Sequence, residues 1–333
     1  MLAQLKKIRA TLPGPFLAAL ALGAGFMGFV AWDQSHWWRT KEDYSFGWLV
    51  PVFVVFVVYD RWPRITAALA ACAAGGSPRV AGWRKGMLWL LVGGTMIAGV
   101  LLFLLGALYR AGAGSSNPGT LAITLGVAGI LLPLLFINAP ETARATAGTL
   151  RTDPRVRLTG LFIFSALVWI VSAPMVSVIE SQLSLALLRK VVTVVAFVFD
   201  LVGVPIEQQG NVLALPNGNV GVEDACSGIR SLTGCLFAGS FLAAVFLDRG
   251  WKKIALVLAA LLLAFATNLG RSLFLTAWAY RHGPHAIDGT VHDVAGYAVL
   301  GLTVAGLLCL LPLLNLRLAS DGESPPDAPR AAP

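Results

Sequence analysis

The fold class this sequence predicts is all-α: a polytopic membrane helix bundle of about eight transmembrane helices. Three observations carry it, namely the hydropathy, the length of the apolar runs and the placing of the basic residues. Of 333 residues, 57% are hydrophobic and only 13% charged, with a mean hydropathy of +0.75. A soluble domain has too little interior to hide so much apolar surface. The apolar runs recur at about 20 residues each, the length a bilayer requires.

In chain order the spans fall near 11–32, 46–60, 87–109, 119–138, 158–179, 227–247, 254–280 and 292–314. The run 10–32 is long enough to remain as the first span, so no cleavable signal peptide is expected. Lys6, Lys7 and Arg9 precede that span and predict a cytoplasmic N-terminus. Alternate loops then test the orientation. Arg61, Arg64, Arg79, Arg84 and Lys85 fall inside, as do Arg144, Arg151, Arg155 and Arg157, then Arg249, Lys252 and Lys253. Arg317 and Arg330 follow the last span, so the C-terminus is also read as cytoplasmic. The net charge of +8 is therefore a topology signal and gives no reason to propose nucleic acid as a partner.

One stretch threatens the count. Residues 183–204 are apolar, but Arg189, Lys190 and Asp200 interrupt them and the clean run 191–199 is too short to cross. A crossing there would also move Arg249, Lys252 and Lys253 outside, against the charge rule. The segment 180–225 is thus read as a small outward segment: an interfacial helix, then a β-hairpin. In "NVLALPNGNVGV" two β-prone arms flank Pro216-Asn217-Gly218. Residues 1–317 form one integral-membrane domain, and the Pro-rich tail 318–333 is read as disordered.

This topology brings three polar motifs to the outer surface. "VEDACSGIRSL" places Cys226 just before the sixth span, where unpaired backbone N–H groups and the helix dipole favour a thiolate. Cys72 and Cys309 lie toward the inside, and Cys235 is about 13 Å further along the helix, too far for a disulfide. A cysteine at a helix end is also simply a small apolar residue, and on this feature alone both readings stay open. "ATNLGRSLF" puts Arg271 about 25 Å along the next helix, near the outer interface, with Asn268 on the same face. An arginine in a membrane helix suggests a site or a buried partner, although one at the interface also snorkels to water. "GTVHDVAGY" opens the last span with His292, beside Asp293 and with Gly296 permitting close approach. His36, His282 and His285 are competing loop histidines. No metal spacing and no glycine-rich phosphate loop is found, so neither metal nor cofactor is expected.

A cysteine, a histidine and an arginine on one face make chemical sense together. Thiolate attacks an amide carbonyl, imidazole carries the proton to the leaving amine, and guanidinium stabilises the oxyanion.

"ACSGIRSL", "NLGR" and "HDVAGY", in that order, resemble the exosortase/archaeosortase family of membrane-embedded cysteine transpeptidases, specifically over about 210–300. "YSFGWLVP" (residues 44–51) resembles the segment entering that family's second span, where histidine is common at the position of Phe46. The resemblance implies a catalytic Cys226, Arg271 and His292 within motifs spanning 222–299; Asn268, one helical turn from Arg271, and the backbone N–H groups near Ser227 and Gly228 are read as support. It implies secreted, membrane-anchored substrates whose C-terminal sorting tail has a short Pro-Glu-Pro-like motif, one transmembrane helix and a basic cluster. The setting it implies is the cell inner membrane, with the site facing the periplasm or exterior and the lipid bilayer as surroundings. The alternative is a transporter or exopolysaccharide polymerase without protease activity. Such a transporter would carry charges near the bilayer midplane. A catalytically silent scaffold is a third reading.

Overall fold

The computed structural model describes residues 12–141, 145–221, 229–247 and 249–315. Among these residues the chain is almost entirely helical. The helices are α1 (Gly14–Thr40), α2 (Val50–Asp60), α3 (Trp62–Ala73), α4 (Trp83–Ala113), α5 (Asn117–Ile137), α6 (Pro154–Ser172), α7 (Ser177–Leu201), α8 (Ile229–Phe246), α9 (Gly250–His282) and α10 (Thr290–Asn315). A 3-10 segment, Glu42–Leu49, leads directly into α2. Short strands β1 (Pro78–Val80) and β2 (Thr146–Gly148) pair in parallel at the end of the bundle where α3 and the start of α6 meet. That end is the far end below; the end carrying Arg271 and His292 is the site end.

Among the described residues eight helical segments are long and apolar enough to cross a membrane, as expected in number. They are not all the expected ones. Ser177–Leu201 is an addition to the expected set, and the sixth expected span falls on α8, whose described part is Ile229–Phe246. The sequence reading broke 183–204 at Arg189, Lys190 and Asp200. In the structure all three side chains lie on the exposed face of one continuous helix. The opposite stripe, Leu188, Val191, Val192, Val195 and Phe199, is buried and uninterrupted. Charges on one face do not stop a helix whose other face is packed.

The contacts of α7 tie its two ends to neighbouring elements. Near its start, Glu180 binds Lys41 at 2.9 Å, and Ser177 accepts a hydrogen bond from Asn117. Asp43, next along from Lys41, accepts through its carbonyl from Thr233 in the first turns of α8. After Leu201 only five residues, a reach of about 20 Å at most, lead to β3 (Glu207–Gln209). β3, β4 (Val212–Leu215) and β5 (Gly218–Gly221) form an antiparallel sheet in that order. Its Leu215 and Val220 pack on Ala279, and Asn217 donates to the Tyr280 carbonyl. Ala279 stands about 43 Å from the start of α9. Both ends of α7 are therefore tied to elements that carry or adjoin the site end. The sheet has one strand more than the expected hairpin, since Gly210-Asn211 makes a second turn with Gly210 at φ +64°.

The core follows the helix pairs. α4 and α5 approach at backbone distance through Gly99, Gly106, Gly126 and Gly129. α8, α9 and α10 interlock at Gly239 against Ala260 and at Gly306 against Leu263, with a 2.9 Å Thr267–Thr303 hydroxyl bond across α9 and α10. In the membrane, small residues and interhelical hydroxyls of this kind supply the association that the hydrophobic effect cannot.

Candidate active site

Helix α9 ends where its sequence tells it to, at Gly283 with φ +91°, followed by Pro284. Its buried stripe runs Leu256, Ala260, Ala264, Asn268, Ser272, Leu275 and Ala279. The stripe turns polar only toward the site end. Asn268 is 2% exposed and lines a small void with Leu232 of α8 and Leu187 and Val191 of α7. It thus faces the beginning of α8 across that void. Arg271, one turn further, points to the first turn of α10, which Gly289 (φ +67°) opens.

There the two expected residues meet. Arg271 Nη2 lies 2.7 Å from His292 Nε2 and also reaches the His292 carbonyl at 3.4 Å. A guanidinium has only protons to offer, so Nε2 is the acceptor of this bond. The ring proton is then on Nδ1, which faces Asp293 Oδ1 at 3.3 Å. A Cβ on Gly296 would stand 3.7 Å from Nη2, so the guanidinium lies along the bare backbone of α10. The His292 side chain is 31% exposed and that of Asp293 68%. Arg271 is a paired side chain at this junction, which snorkelling alone does not require.

The other histidines are placed differently. His282 stacks on Trp278 with ring centres 4.3 Å apart, and His285 is fully exposed, 3.8 Å from Asp288. His36 meets Trp37 edge-on. Cys226, Ser227 and Gly228 lie outside the described residues. Of the three remaining cysteines, Cys72 and Cys235 are buried and Cys309 is exposed on α10. Among the described residues no group of three or more His, Cys, Asp or Glu side chains is arranged to hold a metal ion.

The segment 44–51 has an architectural role that its sequence did not disclose. Tyr44 is fully buried, and its hydroxyl accepts the Met175 N–H at 2.9 Å. The Trp38 ring covers Gly47 so closely that a Cβ there would come within 2.1 Å of it. Phe46 stacks on Phe237 of α8 at 5.0 Å, and Phe53 stacks on Phe237 and Phe241. At position 46 this chain uses an aromatic clamp on α8.

A family model described as transmembrane exosortase (Exosortase_EpsH) matches residues 37–309. That range takes in the 44–51 segment, the sheet and the Arg271–His292 junction. No curated protein and no solved structure matches the chain.

Proposed function

The chain belongs to the transmembrane exosortase family, and from that premise we propose that it is a membrane-embedded cysteine transpeptidase or protease. It cuts C-terminal sorting tails of secreted proteins at the outer face of the cell inner membrane. The observation that carries this reading is the 2.7 Å bond between Arg271 and His292, residues from two helices meeting at a half-open bundle end. For Cys226 the support is sequence and connectivity. Two residues separate it from Ile229, at the start of α8, so covalent geometry keeps it within about 10 Å of that helix start.

The chemistry follows from the pairing. In the resting arrangement His292 Nε2 holds a lone pair toward Arg271. When that nitrogen takes the Cys226 thiol proton, it becomes a cation beside a cation and the bond to Arg271 is lost. The guanidinium is then released to the oxyanion that forms as the thiolate adds to the scissile carbonyl. The imidazolium returns its proton to the leaving amine, and the acyl thioester passes to water or to an acceptor amine or hydroxyl. Asp293 orients the ring through Nδ1, and Asn268 holds α9 against α8.

The test is co-expression with a reporter carrying a Pro-Glu-Pro motif, an apolar helix and a basic end. The wild type shortens the reporter. Cys226→Ser accumulates in the membrane but leaves it intact, because a serine hydroxyl stays protonated without a stronger base. Full processing by Cys226→Ser removes the nucleophile assignment. Labelling of Cys226 in intact cells by an impermeant thiol reagent tests the outward side, and labelling only after permeabilisation reverses it.

A further inference from the structure

The sheet β3–β4–β5 has two edges, and they are finished differently. In each hairpin the residues that close the two-residue turn share hydrogen bonds, Gln209 with Val212 and Leu215 with Gly218. From there the bonds alternate along the strands. Gln208 is thus the β3 residue whose N–H and C=O point away from the sheet, and on β5 those residues are Asn219 and Gly221. On β3 long polar side chains tie themselves down beside the edge. Gln208 Nε2 donates to the Gly210 carbonyl at 3.1 Å, and Gln209 Nε2 to Glu207 Oε2 at 3.4 Å. Polar and charged side chains of this kind blunt an edge against further pairing. The β5 edge, Gly-Asn-Val-Gly, has no such cover. A Cβ at Gly221 would meet nothing within 4 Å, and Asn219 and Gly221 are both exposed. Among the described residues β5 pairs with β4 alone.

The inner face of the sheet sets this edge beside the site. Leu213 of β4 is fully buried and packs with Leu275 of α9 and with Val291 and Ala295 of α10, which bracket His292 in sequence. Val220 of β5 packs on Ala279, and a Cβ at Gly218 would stand 3.1 Å from the Pro284 ring. From Gly221, Cys226 is five residues further along the chain, a reach of about 17 Å at most.

We propose that β5 receives an extended peptide as a fourth strand of this sheet, held by its main chain through Asn219 and Gly221. That the peptide is the segment around the scissile bond rests on the function proposed above; the bare edge does not. Outward N–H and C=O groups spaced two residues apart match the alternating groups of an extended backbone. A helix has already used its own main-chain groups internally. The edge carries no charged side chain to select an anion and no apolar wall for a lipid chain. Main-chain capture of this kind orders a peptide for attack while leaving its side chains free.

The experiment uses the full chain in membranes and peptides carrying the reporter's cut region, each N-methylated at one non-proline residue. Strand addition raises the apparent KM about tenfold at every second residue and leaves the residues between unchanged, since alternate N–H groups face β5. Gly221→Pro removes one outward N–H and raises KM by a similar factor with kcat little changed, the pattern of lost uniform binding. Gln208→Pro makes the same deletion on the β3 edge and changes neither. N-methylation effects that are uniform or absent overturn the proposal, whether or not Gly221→Pro accumulates. So does unaltered KM in a folded Gly221→Pro. A photo-crosslinking residue at position 219 in a Cys226→Ala background, with position 208 as control, reads binding without cleavage. Cross-links from 219 to a second copy of this chain and none to the reporter also overturn the proposal. A reporter that cross-links at 219 but is never cut by the wild type leaves the edge standing and removes the protease reading. One that is cut without the alternation does the reverse.

Discussion

Two clusters of charge lie at opposite ends of this bundle, and they are built on opposite plans. At the far end Asp153 is fully buried, and every approach to it is used. Arg79, Val80 N–H, the Arg155 backbone and the Arg155 guanidinium all donate to its carboxylate at 3.0 to 3.3 Å. Arg79 spends its remaining donors on the Cys72 and Pro140 carbonyls, and Arg155 lies over the Phe136 ring. At the site end His292 is one-third exposed and Asp293 two-thirds, joined to Arg271 by a bond that a single proton transfer would break. The first cluster is saturated and dry. The second is partly exposed, and the proposed proton transfer would rearrange it. Saturation marks a charged group that holds the fold, and accessible pairing marks one that can react.

The comparison breaks most visibly if mutation effects fall on the wrong property. Arg271→Lys keeps the charge but loses the planar fork, and is expected to lower kcat by about 100- to 1,000-fold. His292→Ala is expected to lose about as much, through the proton no longer supplied to the leaving amine. An activated thioester substrate needs little protonation, so it partly rescues His292→Ala and leaves Arg271→Lys impaired. Neither variant should move the thermal midpoint of the purified protein by more than a few degrees. If Arg271→Lys is fully active, the arginine is an interfacial anchor and the oxyanion must be held by backbone N–H groups near Ser227 and Gly228.

Asp153→Ala is expected to show the mirror image. It removes the buried carboxylate shared by Arg79 and Arg155 and leaves Arg155 only the exposed Glu141, 3.8 Å away, at a cost of about 3 kcal/mol in stability. The folded fraction should keep its kcat. Acid sharpens the point. Burial pushes the Asp153 carboxyl up, but the hydrogen bonds from Arg155 and Val80 outweigh it and hold the group below the usual carboxylate range. A carboxyl held low contributes stability that is fully present above its unfolded pKa, about 3.9, and is lost as pH falls through the lower folded value. The gap in thermal midpoint between wild type and Asp153→Ala should be flat from about pH 8 to pH 5 and close only below about pH 4. A gap that closes near pH 6 would assign the effect to some other group.

How much of this was legible in the sequence depends on what each residue faces. The span count, the α9–α10 pair and the turn at Pro216-Asn217 follow from apolar length and turn chemistry, which are local. The continuity of α7 did not, because Arg189, Lys190 and Asp200 look like interruptions until their shared exposed face is seen. The strand β3 was missed because Gly210-Asn211 was not taken as a turn. Arg61, Arg79 and Arg155 were counted as loop charges. In the structure Arg61 and Arg155 are 7% exposed, and Arg61 donates to the Leu161 and Ala244 carbonyls. A charge rule records which side a residue is on but not whether it folds back into the protein. The meeting of Arg271 and His292 was legible as a shared end of the bundle. That Nε2 is held by the guanidinium itself is tertiary information, set by how α9 packs along Gly296.

The smallest expected effect is also the one that most directly tests whether placement, and not residue type, picks the base. His285 sits in the loop before α10 with its side chain fully exposed, 3.8 Å from Asp288 and touched by little else that is described. His282 stacks on Trp278, with Nδ1 3.2 Å from the Trp278 carbonyl. The solvated His285 imidazole is not held at the angle that proton transfer requires, and His282 is held against its own helix, away from His292. His285→Ala and His282→Ala are therefore expected to change kcat/KM by less than about twofold, as surface substitutions away from special features do. Steady-state cleavage of the tail reporter by the purified variants measures this. If His285→Ala matches His292→Ala in damage, the base comes from the exposed loop, and the Arg271–His292 bond becomes a helix clamp comparable in kind to the Asp153 cluster. The distinction between the two ends of the bundle would then rest on Cys226 alone.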